Sequence, residues 1–127
     1  MRYIMLLIML GIGGLTSVSA HEFLPTYPRL QLSYVPGVLH TEMELFNKRE
    51  DIQYYEFSVF TEDWKSVPFA TTDKIQQIGY LEKKRIDIYI REKDKHRAVY
   101  ICSKSKRLKA DETRTTIASR ICSKIKD

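Results

Sequence analysis

The chain has 127 residues, 29% of them charged, and a formal net charge of +5. That length bounds it to one domain of ordinary size, with no glycine- or serine-rich linker to divide it and no second hydrophobic span after the first. No G-x-S-x-G, H-E-x-x-H or phosphate-cradling glycine loop occurs, which leaves the common hydrolase, metalloprotease and nucleotide-binding motifs out of consideration and points away from an enzyme.

The N-terminus reads as an export signal over residues 1–20. Met1 and Arg2 give a minimal positive start, Tyr3 to Leu15 is almost wholly apolar, and Val18-Ser19-Ala20 is a small-residue cleavage pattern. The apolar core is short for a membrane span, which needs roughly 20 residues. Cleavage after Ala20 leaves residues 21–127 as a single domain in the periplasm or outside the cell. In such a compartment the two cysteines, Cys102 and Cys122, are read as one disulfide rather than as metal ligands.

Hydrophobic periodicity along residues 21–127 is two, not 3.6. Leu30, Leu32 and Tyr34 alternate with Gln31 and Ser33 before the turn signal Pro36-Gly37. Leu39, Thr41, Met43 and Leu45 alternate with His40, Glu42 and Glu44, and the run ends at Asn47. Tyr55, Phe57 and Val59 form the face of a third run. Trp64 and Pro68-Phe69 follow, where the chain is expected to cross between sheets with Trp64 packed in the core or at the crossover. Ile75 to Tyr80 is a weaker strand, and Arg85 to Arg91 a clear one with Ile86, Ile88 and Ile90 inward. Arg97–Ser103 and Thr115–Lys126 complete the set. About seven short strands separated by turn signals predict an all-β, immunoglobulin-like antiparallel sandwich.

The tetrapeptide Ile-Cys-Ser-Lys occurs at Ile101–Lys104 and again at Ile121–Lys124. Placing Cys102 opposite Cys122 makes Tyr100 face Lys124, Ile101 face Ser123, Ser103 face Ile121 and Lys104 face Arg120. Directly opposed residues of a non-hydrogen-bonded antiparallel pair lie about 4.5 Å apart at Cα, within disulfide reach. A staple closing a loop of this length contributes roughly 3 kcal/mol in the chain-entropy treatment.

The order of these runs resembles the N-terminal immunoglobulin-like domain of the periplasmic pilus chaperones, the PapD-like fold. Thr26-Tyr27-Pro28-Arg29-Leu30 resembles the first strand, in which an arginine precedes alternating apolar residues. Leu39 to Asn47 resembles the second strand, which ends in asparagine. Tyr55 to Val59 with Pro68-Phe69 resembles the third strand and crossover, and Gly79-Tyr80-Leu81-Glu82 through Ile90 a leucine-containing turn and its strand. Ile117 to Lys126 is similar to the last strand, where a lysine follows alternating hydrophobes. The chain also resembles short phage-encoded single-domain proteins of this pattern.

The resemblance implies binding by β-strand addition, in which main-chain hydrogen bonds supply affinity and alternate side chains supply specificity. It implies Arg29, with Lys124 or Lys126, as a clamp for a partner's terminal carboxylate, and Ile117, Ser119, Ile121 and Ile125 as the donor face. The function expected is a non-catalytic, chaperone- or adaptor-like interaction module along the terminal hairpin. Its partner would be another protein: a pilin-like, virion or envelope protein. No cofactor or small-molecule substrate is expected.

Two other readings stand beside it. The resemblance to short phage-encoded proteins implies a structural component of a phage particle or surface appendage that uses the same fold as a building block. Alternatively, cleavage after Ala20 would make His21 N-terminal, and its α-amine and imidazole are one half of a copper-binding histidine brace that His40 or His96 would have to complete. Finally, Lys104, Lys106, Arg107, Lys109, Arg114, Arg120, Lys124 and Lys126 face only Asp111, Glu112 and Asp127. This late positive charge reads either as an anionic-surface contact or as a solvated hairpin whose lysines protect its edge.

Overall fold

The structure is a computed structural model that describes residues 21–106 and 119–126. The expected export signal over residues 1–20 and Ile117 lie outside the described residues. Among the described residues eight strands form two antiparallel sheets. They are β1 (His21–Leu24), β2 (Gln31–Leu32), β3 (Val38–Asn47), β4 (Tyr54–Phe60), β5 (Ile75–Gln77), β6 (Lys83–Arg91), β7 (Tyr100–Lys106) and β8 (Arg120–Lys124). In the first sheet β3 is central. It pairs along one edge with β6, from Val38 opposite Arg91 to Phe46 opposite Lys83, and along the other with β1 and β2 in turn. The second sheet runs β5-β4-β7-β8.

Alternation decides which faces meet. Leu39, Thr41, Met43 and Leu45 on β3, Ile86, Ile88 and Ile90 on β6, and Tyr55, Phe57 and Val59 on β4 are all buried, with polar or half-exposed residues between them. One sheet turns one side of each pleat to the other, so period-2 apolar residues from both close one core. These are the residues that the sequence pattern places inward.

Three local features depart from that pattern. The Leu30–Tyr34 run yields only the two-residue β2, and Leu32 and Tyr34 point to solvent rather than into the core. The Ser33 hydroxyl donates to the carbonyls of Val35 and Val38, which turns the chain into β3 before a longer strand can form, with Gly37 at a φ of 79°. Trp64 packs at the crossover on the outer surface, stacked on Tyr100 at 4.4 Å, and not in the core. The third departure is β1, which has no pattern long enough to announce it and is nonetheless zipped to the end of β3, His21 opposite Asn47.

Asn47 explains how the corner below β3 closes. It is fully buried, and its amide nitrogen donates to the Ile52 and Ile78 carbonyls at 2.8 and 2.9 Å. Its side-chain oxygen accepts from the Arg49 N–H at 2.9 Å and from the Tyr55 hydroxyl. One side chain thus satisfies backbone groups of two loops that would otherwise be orphaned in the interior.

Candidate functional site

The last hairpin has the register that the repeated tetrapeptide predicts. Tyr100 faces Lys124, Ile101 faces Ser123, Cys102 faces Cys122, Ser103 faces Ile121 and Lys104 faces Arg120. Cys102 and Cys122 are bonded, with Cα atoms 4.0 Å apart. The guanidinium of Arg120 lies 4.9 Å from the Trp64 ring and 5.5 Å from the Phe60 ring. Both rings belong to the level of Tyr100, so Arg120 reaches past the disulfide row to get there.

The backbone of β8 has two edges in different states. Its odd-numbered residues turn toward β7, as the bonds from Ser105 N–H to Ser119 O and from Ile125 N–H to Val99 O show. The even-numbered ones turn outward. From Lys124 onward the outward edge is occupied, because Lys124 N–H donates to Thr26 O at 3.1 Å and Lys126 N–H to Pro28 O at 2.8 Å. At Arg120 and Cys122 no described residue pairs with that edge, since β1 at this level is hydrogen-bonded to β3 instead. Among the described residues the edge at the start of β8 is therefore without a neighbour.

A parallel backbone bridge joins Arg29 to Lys126, two residues beyond the end of β8. Among the described residues neither takes part in an ion pair. Arg29 also lines a cavity of about 270 Å³ with Gln31, His40, Thr41 and Glu42. Lys124, the other candidate for the cation pair, faces Tyr100 on the β7 side and is exposed.

The expected donor side chains stand differently. Ile121 and Ile125 pack against this chain's own core, and Ser119 turns to Ser105 and His21. The inner face of the hairpin is mixed rather than cleanly apolar, because Ser103, Ser105 and Ser123 are buried beside the core. His21 accounts for part of that. Its Nε2 lies 2.8 Å from the Ser103 hydroxyl, its Nδ1 3.4 Å from the Ser119 hydroxyl, and its ring 4.8 Å from that of Tyr55. Burial lowers the imidazole pKa to about 4, and the Arg49 guanidinium adds to the effect. Burial likewise pushes the Tyr55 phenol up to about 12.

The structure does not bring His21 and His40 together. Their levels on β3 are set by Asn47 and by His40 itself, about 23 Å apart along an extended strand. His40 instead binds Asp87 at 2.9 Å, beside Arg85. Although burial works against it, hydrogen bonds from His40 and Arg85 hold the Asp87 carboxyl below its ordinary range. His96 lies just beyond the 3₁₀ turn Glu92–Asp94. Among the described residues no cluster of three or more metal-ligating side chains forms.

No protein-family model matches the chain, and no curated protein matches it. Solved structures do. The chain is similar to the E. coli chaperone DraB, at 18% identity and a TM-score of 0.63, over 84% of this chain and 53% of that one. It therefore spans about half the length of DraB. A weaker likeness is to a PapD-like domain of human CEP192, at 9% identity and a TM-score of 0.47, over 91% of this chain and 96% of that one. The two sheets, the crossovers and the likeness to DraB define a PapD-like, immunoglobulin-like fold.

Proposed function

We propose that the protein is an exported, non-catalytic interaction module, chaperone- or adaptor-like, that binds another protein by β-strand addition at the open start of β8. The observation that carries this reading is the pairing of two features on one strand. The outward main-chain groups of Arg120 and Cys122 lack a neighbour among the described residues, and further along the backbone of Lys126 is bridged to that of Arg29. An extended partner segment satisfies the edge, and a carboxylate suits the cations. The likeness to a chaperone of the same fold supports the reading.

On this reading Ile121 and Ile125 serve the module's own core, and affinity comes from the main-chain edge, with Lys126 and Arg29 fixing the partner's end. The Cys102–Cys122 bond keeps the edge in place rather than releasing the strand. The partner is a pilin-like, virion or envelope protein.

The test uses Arg120→Pro. Its N–H points outward, so proline removes no ladder bond and is tolerated at a sheet edge, yet it blocks an added strand. Arg120→Ala serves as the control for the lost side chain. Capture from a periplasmic extract is expected to survive Arg120→Ala and to fail with Arg120→Pro. Equal capture by both variants would sink the strand-addition reading.

A further inference from the structure

The two sulfurs of the terminal hairpin stand in unequal surroundings. Ile101 and Ser103 turn inward, so Cys102 lies on the outer face of the second sheet. It is nonetheless only 1% exposed, whereas Cys122 beside it is half-buried. The residues directly opposite Cys102 are Ser58 on β4 and Cys122 on β8, both too small to cover it. The cover has to come from longer side chains laid across that face.

Arg120 and Trp64 supply it. Arg120 is opposite Lys104 and Phe60 is opposite Tyr100, so the diagonal from Arg120 on β8 to Phe60 on β4 crosses β7 at Cys102. The Arg120 side chain follows that diagonal, since its guanidinium lies 5.5 Å from the Phe60 ring and 4.9 Å from the Trp64 ring. Trp64 in turn is stacked on Tyr100, with 3° between the ring planes. Its backbone is left-handed, at a φ of 64°, which a bulky residue adopts only at a cost. The turn holds it there. Trp64 N–H donates to Thr61 O and Thr61 N–H to Lys65 O, while the Thr61 hydroxyl accepts from the N–H groups of Asp63 and Lys65. Strain of this kind points to a use for the side chain it presents.

Exchange with an external thiol requires the incoming sulfur to lie in line with the two sulfurs of the bond. Attack on Cys102 would come from the β4 side, across Phe60, Trp64 and Arg120. Attack on Cys122 comes from beyond β8, where no described strand pairs.

We propose that the Cys102–Cys122 bond is a directed exchange site, at which a small thiol forms a mixed disulfide with Cys122 and not with Cys102. The thiolate attacks Cys122 Sγ, the S–S bond breaks, and its electron pair leaves on Cys102 Sγ. No net oxidation or reduction occurs in this step. Arg120 supplies positive charge that offsets the burial of the departing thiolate. The β7–β8 ladder keeps the two cysteines opposed, so Cys102 returns the attack, expels the thiol and restores the bond. This chemistry is independent of strand addition, and the failure of either leaves the other standing.

The probe is reduced glutathione added at neutral pH to the full chain with its bond formed. Samples are quenched with N-ethylmaleimide and mapped by peptide mass spectrometry. Glutathione on Cys122 with maleimide on Cys102 is expected to exceed the reverse pattern by about tenfold. Glycine suits the left-handed φ, so Trp64→Gly removes the ring without added backbone strain and is expected to erase that preference. Arg120→Ala should narrow it. Circular dichroism establishes that each variant is folded before labelling. The emission of the single tryptophan reads the cover directly and should change as the adduct forms.

Equal labelling of the two cysteines in the wild type overturns the proposal. A preference that both Trp64→Gly and Arg120→Ala leave intact overturns it as well. So do adducts that appear only in step with global unfolding in urea, since those would arise from the open chain.

Discussion

His21 is the residue through which the environment reaches the fold. Its ring is buried between Ser103, Ser119 and Tyr55, and burial lowers its pKa to about 4. The unfolded chain takes up this proton near the ordinary value of 6.5, the folded chain only near 4. Stability from the neutral ring is therefore complete above the ordinary value. It falls as the pH drops through that window and is lost below the folded value, a swing of at most about 3 kcal/mol. Thermal unfolding measured from about pH 7 down to about pH 4.5 should show a steeper loss in the wild type than in His21→Gln. Parallel curves would mean that the ring is not buried neutral. The sequence shows the histidine but not this role, because the contacts come from β7 and β8, more than eighty residues away. Asn47 is a similar case. Its place at the end of a strand was legible, while its four hydrogen-bonding contacts depend on loops whose paths no pattern records.

At the scale of elements, the terminal hairpin was the most legible part of the molecule. A chain with only two cysteines leaves one intramolecular pairing, and a period of two then fixes every opposed residue. The strands β3, β4 and β6 were legible for the same reason, since each has an unbroken alternating run. The strands β1 and β2 were not. Four and two residues carry too little pattern, and β1 is held by its pairing to β3 and by a polar contact to the hairpin. The serines of β7 and β8 read as a poor inner face, yet Ser103 and Ser105 are buried where His21 and Ser119 supply partners. Because the disulfide joins neighbouring, already paired strands, its main effect is on the unfolded chain. Replacing Cys102 and Cys122 together with serine should lower stability by about 2–4 kcal/mol in denaturant titration, with little change in strand content. A collapse of the β-sheet circular dichroism signal instead would show that the bond organises the hairpin.

The whole molecule combines a closed core with an incompletely closed rim. Residues 21–32 are shared between sheets: β1 lies on β3, the carbonyls of Thr26 and Pro28 accept from Lys124 and Lys126, and β2 returns to β3. Among the described residues this division leaves the start of β8 without a neighbour and bridges the backbone of Arg29 to that of Lys126. The juxtaposition of Arg29 with that lysine was expected from the resemblance to pilus chaperones. The exposure of Leu32 and Tyr34 was not, because the alternation of Leu30, Leu32 and Tyr34 does not record the Ser33 turn that ends β2.

The most direct measurement is residue-resolved amide hydrogen exchange of the free protein and of its complex with a captured partner. The amides of Arg120 and Cys122 should exchange rapidly in the free protein while those of Lys124 and Lys126 are protected. All four should be protected in the complex. Slow exchange at Arg120 and Cys122 before binding, or no change there on binding, would contradict strand addition at this edge.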